Sequence, residues 1–167
     1  MDFDPSHIVV FTDGSCYPNN GKGDGGWAFT CFYKNKSVVK YGWQPNSSNN
    51  AMECTAILRA LQYVPYGSSP ITVYTDSTYC KNVINSWAEV WEQEGWVTSS
   101  GTPVKNAHLI AELTRVVRAH RDHRELTVRW VRGHSGIAPN EVVDISAGRA
   151  RRLKETNWDE SIHNRLQ

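Results

Sequence analysis

The chain has no apolar run long enough to cross a bilayer, so no membrane span is expected. Its cysteines number four (Cys16, Cys31, Cys54 and Cys80), and none forms a CxxC pair. That scatter indicates neither a zinc site nor a disulfide framework. Reduced thiols fit a cytoplasmic location. Charge of one sign is also lacking: 18 Lys and Arg face 17 Asp and Glu, for a net charge of +1. Any affinity for nucleic acid must then come from local patches and not from a global field. The opening Met1-Asp2-Phe3-Asp4-Pro5 has neither the basic head nor the greasy core of a secretory signal. At 167 residues one domain is expected, burying roughly 70% of its unfolded surface.

What is present is a change of period along the chain. Ile8 to Asp13, Gly26 to Tyr33 and Ser37 to Trp43 read as three strands, the last two joined by the turn Lys34-Asn35-Lys36. Short connections favour an antiparallel meander. Cys54, Ile57, Leu58, Leu61 and Val64 then recur at helical spacing, from a start near Asn49 or Asn50 to a stop before Pro65. Ile71 to Asp76 is a fourth strand, followed by a helical stretch through Tyr79, Val83 and Ile84. His108 to His120 is amphipathic, Glu125 to Arg132 alternates as a fifth strand, and Asn140 to Leu153 reads as a last helix. The order βββαβααβα predicts an α/β fold, a mixed sheet with helices packed on it. Residues 155–167 read as a polar, loosely held tail behind a domain of residues 1–154.

Four acids fall at telling places. Asp13 and Asp76 close the first and fourth strands, each preceded by Thr and followed by a turn. If those strands are parallel neighbours, both carboxylates emerge at the edge where open α/β sheets bind ligands. Glu53 lies on the apolar stripe of its helix with Ile57, Leu61 and Val64, and Asp144 sits among Val142, Val143 and Ile145. Convergent carboxylates repel, and cations relieve the repulsion. An all-oxygen donor set suits Mg²⁺ or Mn²⁺. Two such ions about 3.5–4 Å apart clamp the attacking and leaving oxygens of a phosphodiester. Gly14, Gly21, Gly23, Gly25 and Gly26 would let a polymer backbone approach the acids. Each acid also has a local reading. Asp76 fits an N-cap, Asn50-x-x-Glu53 a capping box, Asp13-Gly14 a tight turn, and Asp144 a solvated helix position.

The ordered set Thr12-Asp13-Gly14-Ser15, Asn49-Asn50-Ala51-Met52-Glu53, Thr75-Asp76-Ser77, Gly133-His134-Ser135-Gly136 and Asn140-Glu141-x-x-Asp144 resembles ribonuclease H of the bacterial type 1 class. The resemblance runs from about Val9 to Arg151. It implies a five-stranded mixed sheet, three antiparallel strands then two helix-linked parallel ones. It also implies hydrolysis of the RNA strand of an RNA–DNA hybrid by a monomer. By matching position, Asp13 would bridge two Mg²⁺ ions, Glu53 and Asp76 would complete one site, and Asp144 the other. Mn²⁺ would substitute, and the products would carry 5′-phosphate and 3′-hydroxyl ends. His134, in a glycine-flanked loop without apolar context, suits proton transfer. The other five histidines read as surface or loop residues.

Substrate contacts follow from the same resemblance. Asn19, Asn49 and Asn50 match minor-groove positions, where amides can bond 2′-hydroxyls and base edges. Tyr79, Trp87 and Trp91 match an aromatic channel for the DNA strand, while Trp96 reads as core. Ser48 and Asn106 match a DNA phosphate pocket. Thr78 stands where Gln is common, and Asn46 where a phosphate-binding Arg often occurs. The helical handle over the DNA strand is usually basic. Here Glu89, Glu92 and Glu94 face Lys105 alone between Ser86 and Asn106. That predicts weaker substrate affinity with normal chemistry. Arg115, Arg118, Arg121, Arg124, Arg149, Arg151 and Arg152 are the cations elsewhere that would compensate.

Overall fold

The computed structural model describes residues 4–160. Strands β1 (Ile8–Tyr17), β2 (Gly23–Tyr33), β3 (Lys36–Ser47), β4 (Ile71–Thr75) and β5 (Leu126–Trp130) form one sheet in the order β3-β2-β1-β4-β5. The β3, β2 and β1 pairings are antiparallel, while β1–β4 and β4–β5 are parallel. Lys34 and Asn35 both take positive φ, as a two-residue hairpin turn requires. The helices are α1 (Asn49–Tyr63), α2 (Thr78–Asn82), α3 (Ala88–Gln93), α4 (Ala107–Arg121) and α5 (Ala138–Leu153). A π-helical turn, Val83–Trp87, joins α2 to α3. The mixed five-stranded sheet flanked by helices is the fold expected from the sequence.

Alternation along β1 divides the core. Ile8, Val10 and Cys16 face α1 and α4 in one cluster with Phe29, Met52, Leu61 and Leu113. Val9 and Phe11 face α5 in another with Ala28, Val143 and Ala147. The period of two in a twisted strand thus feeds two helical layers from one sequence.

Four expectations need correction, three of them in the sheet and helices. β1 does not end at Asp13. Its parallel pairing with β4 ends at Thr12↔Thr75, but its antiparallel ladder with β2 continues to Tyr17↔Asp24. The glycines that follow are filled by protein, not kept clear for a polymer. A Cβ on Gly14 would lie 2.4 Å from Glu53 N, one on Gly26 would lie 2.1 Å from Ala147 O, and only Gly21 among the five has open space. His120 is no surface residue: it is fully buried, and its Nε2 donates to Leu61 O at 2.6 Å, tying α4 to α1. Burial lowers its pKa, so the ring stays neutral.

The polar tail is also shorter than residues 155–167. Asn157 joins the outer edge of β3, accepting from Tyr41 N at 2.7 Å and donating from Nδ2 to Val39 O at 3.1 Å. Trp158 is buried against Trp27 and Phe29, with ring centroids 5.7 and 6.1 Å away. Arg59 lies over its ring at 5.5 Å. A single large aromatic in a polar stretch was the signal, and its apolar area outweighs the polarity of its neighbours. Residues 161–167 of the expected tail lie outside the described ones. Trp158→Ala is expected to cost about 3 kcal/mol, the low end for a buried Trp because its indole Nε1 is buried without a hydrogen-bond partner. Urea unfolding of the two proteins measures the difference.

Candidate active site

The edge of the sheet beyond Thr12 and Thr75 gathers the acids. Because those two residues are paired in register, Asp13 and Asp76 leave the parallel ladder at the same level. Glu53 arrives from above. Ser48 caps α1, its hydroxyl accepting from Ala51 N at 3.2 Å, and the bare Gly14 lets the first turn lie against β1. The capping-box reading of Asn50 and Glu53 therefore fails, and so does the cap reading of Asp76. Ser77 caps α2, its hydroxyl accepting from Cys80 N at 3.1 Å. Neither acid is consumed by its own helix.

Carboxylate oxygens of Asp13, Glu53 and Asp76 lie within 4.8 Å of one another. Asp13 and Glu53 are buried, at 6% and 9% exposure. One oxygen of Glu53, Oε2, is buried without a hydrogen-bond partner. Gly14 N donates to Asp13 Oδ1 at 2.9 Å. Burial, then the charge of Asp76, pushes the Asp13 carboxyl up to about 7. Burial, then Asp13 and Asp76, raises Glu53 well above the carboxylate range. Burial and then Asp144 raise Asp76. The acids thus hold one another partly protonated unless a cation intervenes.

Asp144 stands at the rim. Its side chain is 42% exposed, and Oδ2 lies 3.7 Å from His134 Nδ1. Asp144, His134 and Glu141 form a second group of possible ligands within 4.8 Å. His134 is 78% exposed in its loop, at φ +54°, so its side chain is not part of the core. All four acids and His134 line one cleft of about 430 Å³, together with Asn49, Asn50, Thr78 and Tyr79. Two contributors escaped sequence reading. Glu141 accepts from Gly136 N at 3.4 Å and holds the His134 loop to α5. The Trp130 indole donates to Asp76 O at 3.0 Å. Glu141 lay inside the Asn140-Glu141-x-x-Asp144 motif and Trp130 inside the fifth strand, but nothing in a strand alternation shows which backbone group an indole will meet.

The expected substrate residues fall into three places. Asn19 and Asn49 form a chain: Asn19 Oδ1 accepts from Asn49 N at 2.9 Å, and Asn49 Oδ1 accepts from Cys16 N at 2.8 Å. Their carbonyl ends fix the loop while the amide NH₂ groups remain as donors. Ser48 and Asn106 line a separate cavity of about 490 Å³ beside Asn46 and Arg59. Tyr79, Trp87 and Trp91 run in a row, with centroids 6.1 and 5.8 Å apart. Trp87 is 40% exposed, whereas Trp91 and Trp96 pack on Val83, Ala88, Val104 and Ile110. Burial pushes the Tyr79 phenol up to about 12, against a side-chain bond with Asn106.

The handle is less acidic in effect than in sequence. Glu92 pairs with Arg118 of α4 at 2.9 Å, leaving Glu89 and Glu94 exposed. Four of the other cations expected to compensate have partners of their own. Arg115 holds Glu112, Arg149 holds Glu155, and Arg121 and Arg124 bond main-chain carbonyls.

The raised Asp13 carboxyl makes a stability prediction. With its folded pKa near 7 and the ordinary value 3.8, the folded state binds more protons in between. Its contribution to stability is then full below about pH 4 and lost as pH rises through 7. Asp13→Asn removes the penalty. In EDTA, the melting temperature of Asp13→Asn is expected to exceed that of the parent more at pH 8 than at pH 5, as read by calorimetry. An equal margin at both values overturns the crowded cluster.

The RNase H family profile matches residues 5–152. A ribonuclease H of Ehrlichia ruminantium (strain Gardel) is 40% identical over 140 residues, covering 84% of this chain and 91% of that protein. Ribonuclease HI of Pseudomonas aeruginosa is 38% identical over 146 residues, covering 87% and 94%. The solved structure of LC9-RNase H1, a type 1 RNase H with the type 2 active-site motif, superposes with a TM-score of 0.75 at 24% identity. It covers 98% of this chain and 82% of the other. The chain therefore belongs to the RNase H family of nucleases, enzymes that hydrolyse phosphodiester bonds.

Proposed function

We propose that the chain cleaves the RNA strand of RNA–DNA hybrids with two Mg²⁺ ions, Mn²⁺ serving as a substitute, and leaves 5′-phosphate and 3′-hydroxyl ends. One observation carries the reading. Glu53 Oε2 is buried without a hydrogen-bond donor, within reach of Asp13 and Asp76. An acceptor in that position is satisfied by a cation, and three hard oxygen donors fit Mg²⁺. Asp13, Glu53 and Asp76 would hold one ion, and Asp13 with Asp144 the other. When bound, Mg²⁺ would supply an activated water and positive charge to offset the negative charge developing on the phosphodiester.

The chain's own residues do the rest. His134 moves a proton at its ring beside Asp144, and its exposed loop lets it reach substrate and solvent in turn. Asn19 and Asn49 present amide donors, held from behind by their carbonyl bonds, toward 2′-hydroxyls. Asn50, Thr78 and Tyr79 border the same cleft. Trp87 offers an exposed face to the DNA sugars, while Trp91 anchors the handle from below. Ser48 and Asn106 receive a DNA phosphate in their shared cavity. All of these groups come from one chain, which supports a monomer as the working unit. No described helix is long and apolar enough to cross a membrane, and we place the enzyme in the cytoplasm. Its catalytic domain runs from the N-terminus through residue 154, with the Trp158 anchor following.

Cleavage of a labelled hybrid beside duplex RNA and duplex DNA tests the function. The RNA of the hybrid is expected to be cut with Mg²⁺ and spared with chelator. Equal cleavage of duplex DNA, or cleavage that survives chelation, overturns the reading. Asp13→Asn is expected to lose several orders of magnitude of turnover while hybrid binding survives. His134→Ala is expected to lose about 10²-fold in turnover at an unchanged melting temperature. On the handle, Glu89→Lys with Glu94→Lys is expected to lower KM at constant kcat. The salt slope should steepen by about 0.9 per added phosphate contact. Glu92 is left in place because it holds Arg118. An unchanged KM and salt slope would show that the handle does not meet substrate.

A further inference from the structure

A larger cavity, of about 730 Å³, opens at the other end of the sheet, where β1 begins and α1 ends. Ile8 and Val64 form part of its floor, and Tyr33, Tyr63 and Tyr66 supply aromatic wall. Lys36 and Arg124 line it, as do the hydroxyls of Ser37, Ser68 and Ser69, and no carboxylate of the described residues does. α1, about 20 Å long from its 15 residues, separates this cavity from the acidic cleft, so the nuclease site does not account for it.

Arg124 is the telling group. Its Nη1 donates to Pro65 O at 2.8 Å and to His120 Nδ1 at 3.2 Å, both uncharged acceptors. Its Nε is buried with no hydrogen-bond partner. A half-buried guanidinium facing only neutral acceptors gains from an anion, and its planar fork suits phosphate. Lys36 at the mouth adds a second positive charge, which matches a dianion better than a carboxylate. Ser69 is close enough to share a hydrogen with Tyr33, its Oγ lying 3.4 Å from the phenol oxygen. Tyr66 is backed by His120 and His123, at 5.0 and 5.9 Å between centroids, and remains 38% exposed on its outer side. Flat walls beside a phosphate-seeking end favour a ring that carries a phosphate.

We propose that this cavity binds a phosphate monoester on an aromatic body, with a mononucleotide as the type. The phosphate lies against Arg124, Lys36 and the serine hydroxyls, and the base lies along the tyrosines.

The test titrates the isotope-labelled full chain in EDTA with AMP, adenosine and inorganic phosphate in turn. EDTA removes any binding that depends on metal at the acids. AMP is expected to move the amides of Ser37, Gly67, Ser68 and Ser69, and to bind about tenfold more tightly than adenosine or phosphate. Lys36→Gln, at an exposed position, is expected to weaken AMP by about fivefold, the scale of one surface charge contact. Arg124→Lys keeps the charge but loses the fork, and is expected to weaken AMP further. Because Arg124 also holds Pro65, Lys36→Gln decides the matter if Arg124→Lys lowers the melting temperature. Shifts confined to Asn49, Asn50 and Thr78, or no shifts at saturating AMP, overturn the proposal. Equal binding of adenosine, or an unaffected Lys36→Gln, overturns the phosphate contact. Phosphate alone matching AMP overturns the nucleotide and leaves an adventitious ion only. Hybrid cleavage by Lys36→Gln is expected to match the parent, so failure here leaves the nuclease reading intact.

Discussion

The molecule turns on the close approach of α1 to the bare backbone at Gly14. No side chain larger than hydrogen fits there, because the space is taken by the Met52–Glu53 peptide. That contact alone brings a helix-borne carboxylate down to two strand-borne ones. It also sets the level of Asn49 and so the bond from Cys16 that anchors the neighbouring loop. On the opposite face Gly26 plays the same part for α5, admitting Ala147 O and the Arg151 main chain. Asp144 rides on that helix. Two helices are pressed onto one sheet at two glycines in adjacent strands, and the acids meet between them.

Such a cluster is expensive for the protein on its own. Asp13, Glu53 and Asp76 are each raised by burial and by neighbouring acids, so the apo state trades stability for readiness. The surrounding hydrogen bonds restrain motion more than they neutralise charge. Trp130 grips the Asp76 main chain, Gly14 donates a single bond to Asp13, and Ser77 and Ser48 take over the helix caps. The serines matter because they free Glu53 and Asp76 from capping their helices. Local capping chemistry and the site are thus divided between neighbouring residues: Ser48 and Ser77 serve the helices, Glu53 and Asp76 the cleft.

Much of this was legible in the chain. Period changes located the five strands and the long helices, and the acids were visible because each broke its local pattern. A charge on the stripe of Ile57, Leu61 and Val64 has no place in a core unless it reaches a site. Boundaries were less visible. β1 and β2 run on past their apolar stretches because Gly23 to Gly26 can pair as main chain without contributing side chains. His120 and Trp158 were misplaced for the same reason: polarity of sequence neighbours says little when burial is decided by a partner far along the chain. The cancellation of Glu92 by Arg118 was hidden too, since it joins residues 26 positions apart.

The strap formed by Thr156 and Asn157 has a bearing beyond anchoring. β3 is the outermost strand on its side of the sheet, and an outer strand offers free main-chain groups to any passing chain. Asn157 occupies Val39 O, Tyr41 N and Tyr41 O in the manner of a short extra strand, and Thr156 adds a bond to Tyr41 O. The centre of the exposed margin is thereby closed from within the same molecule. A polar segment outside the acidic cleft thus covers the main-chain groups through which an open sheet margin would pair with a second chain.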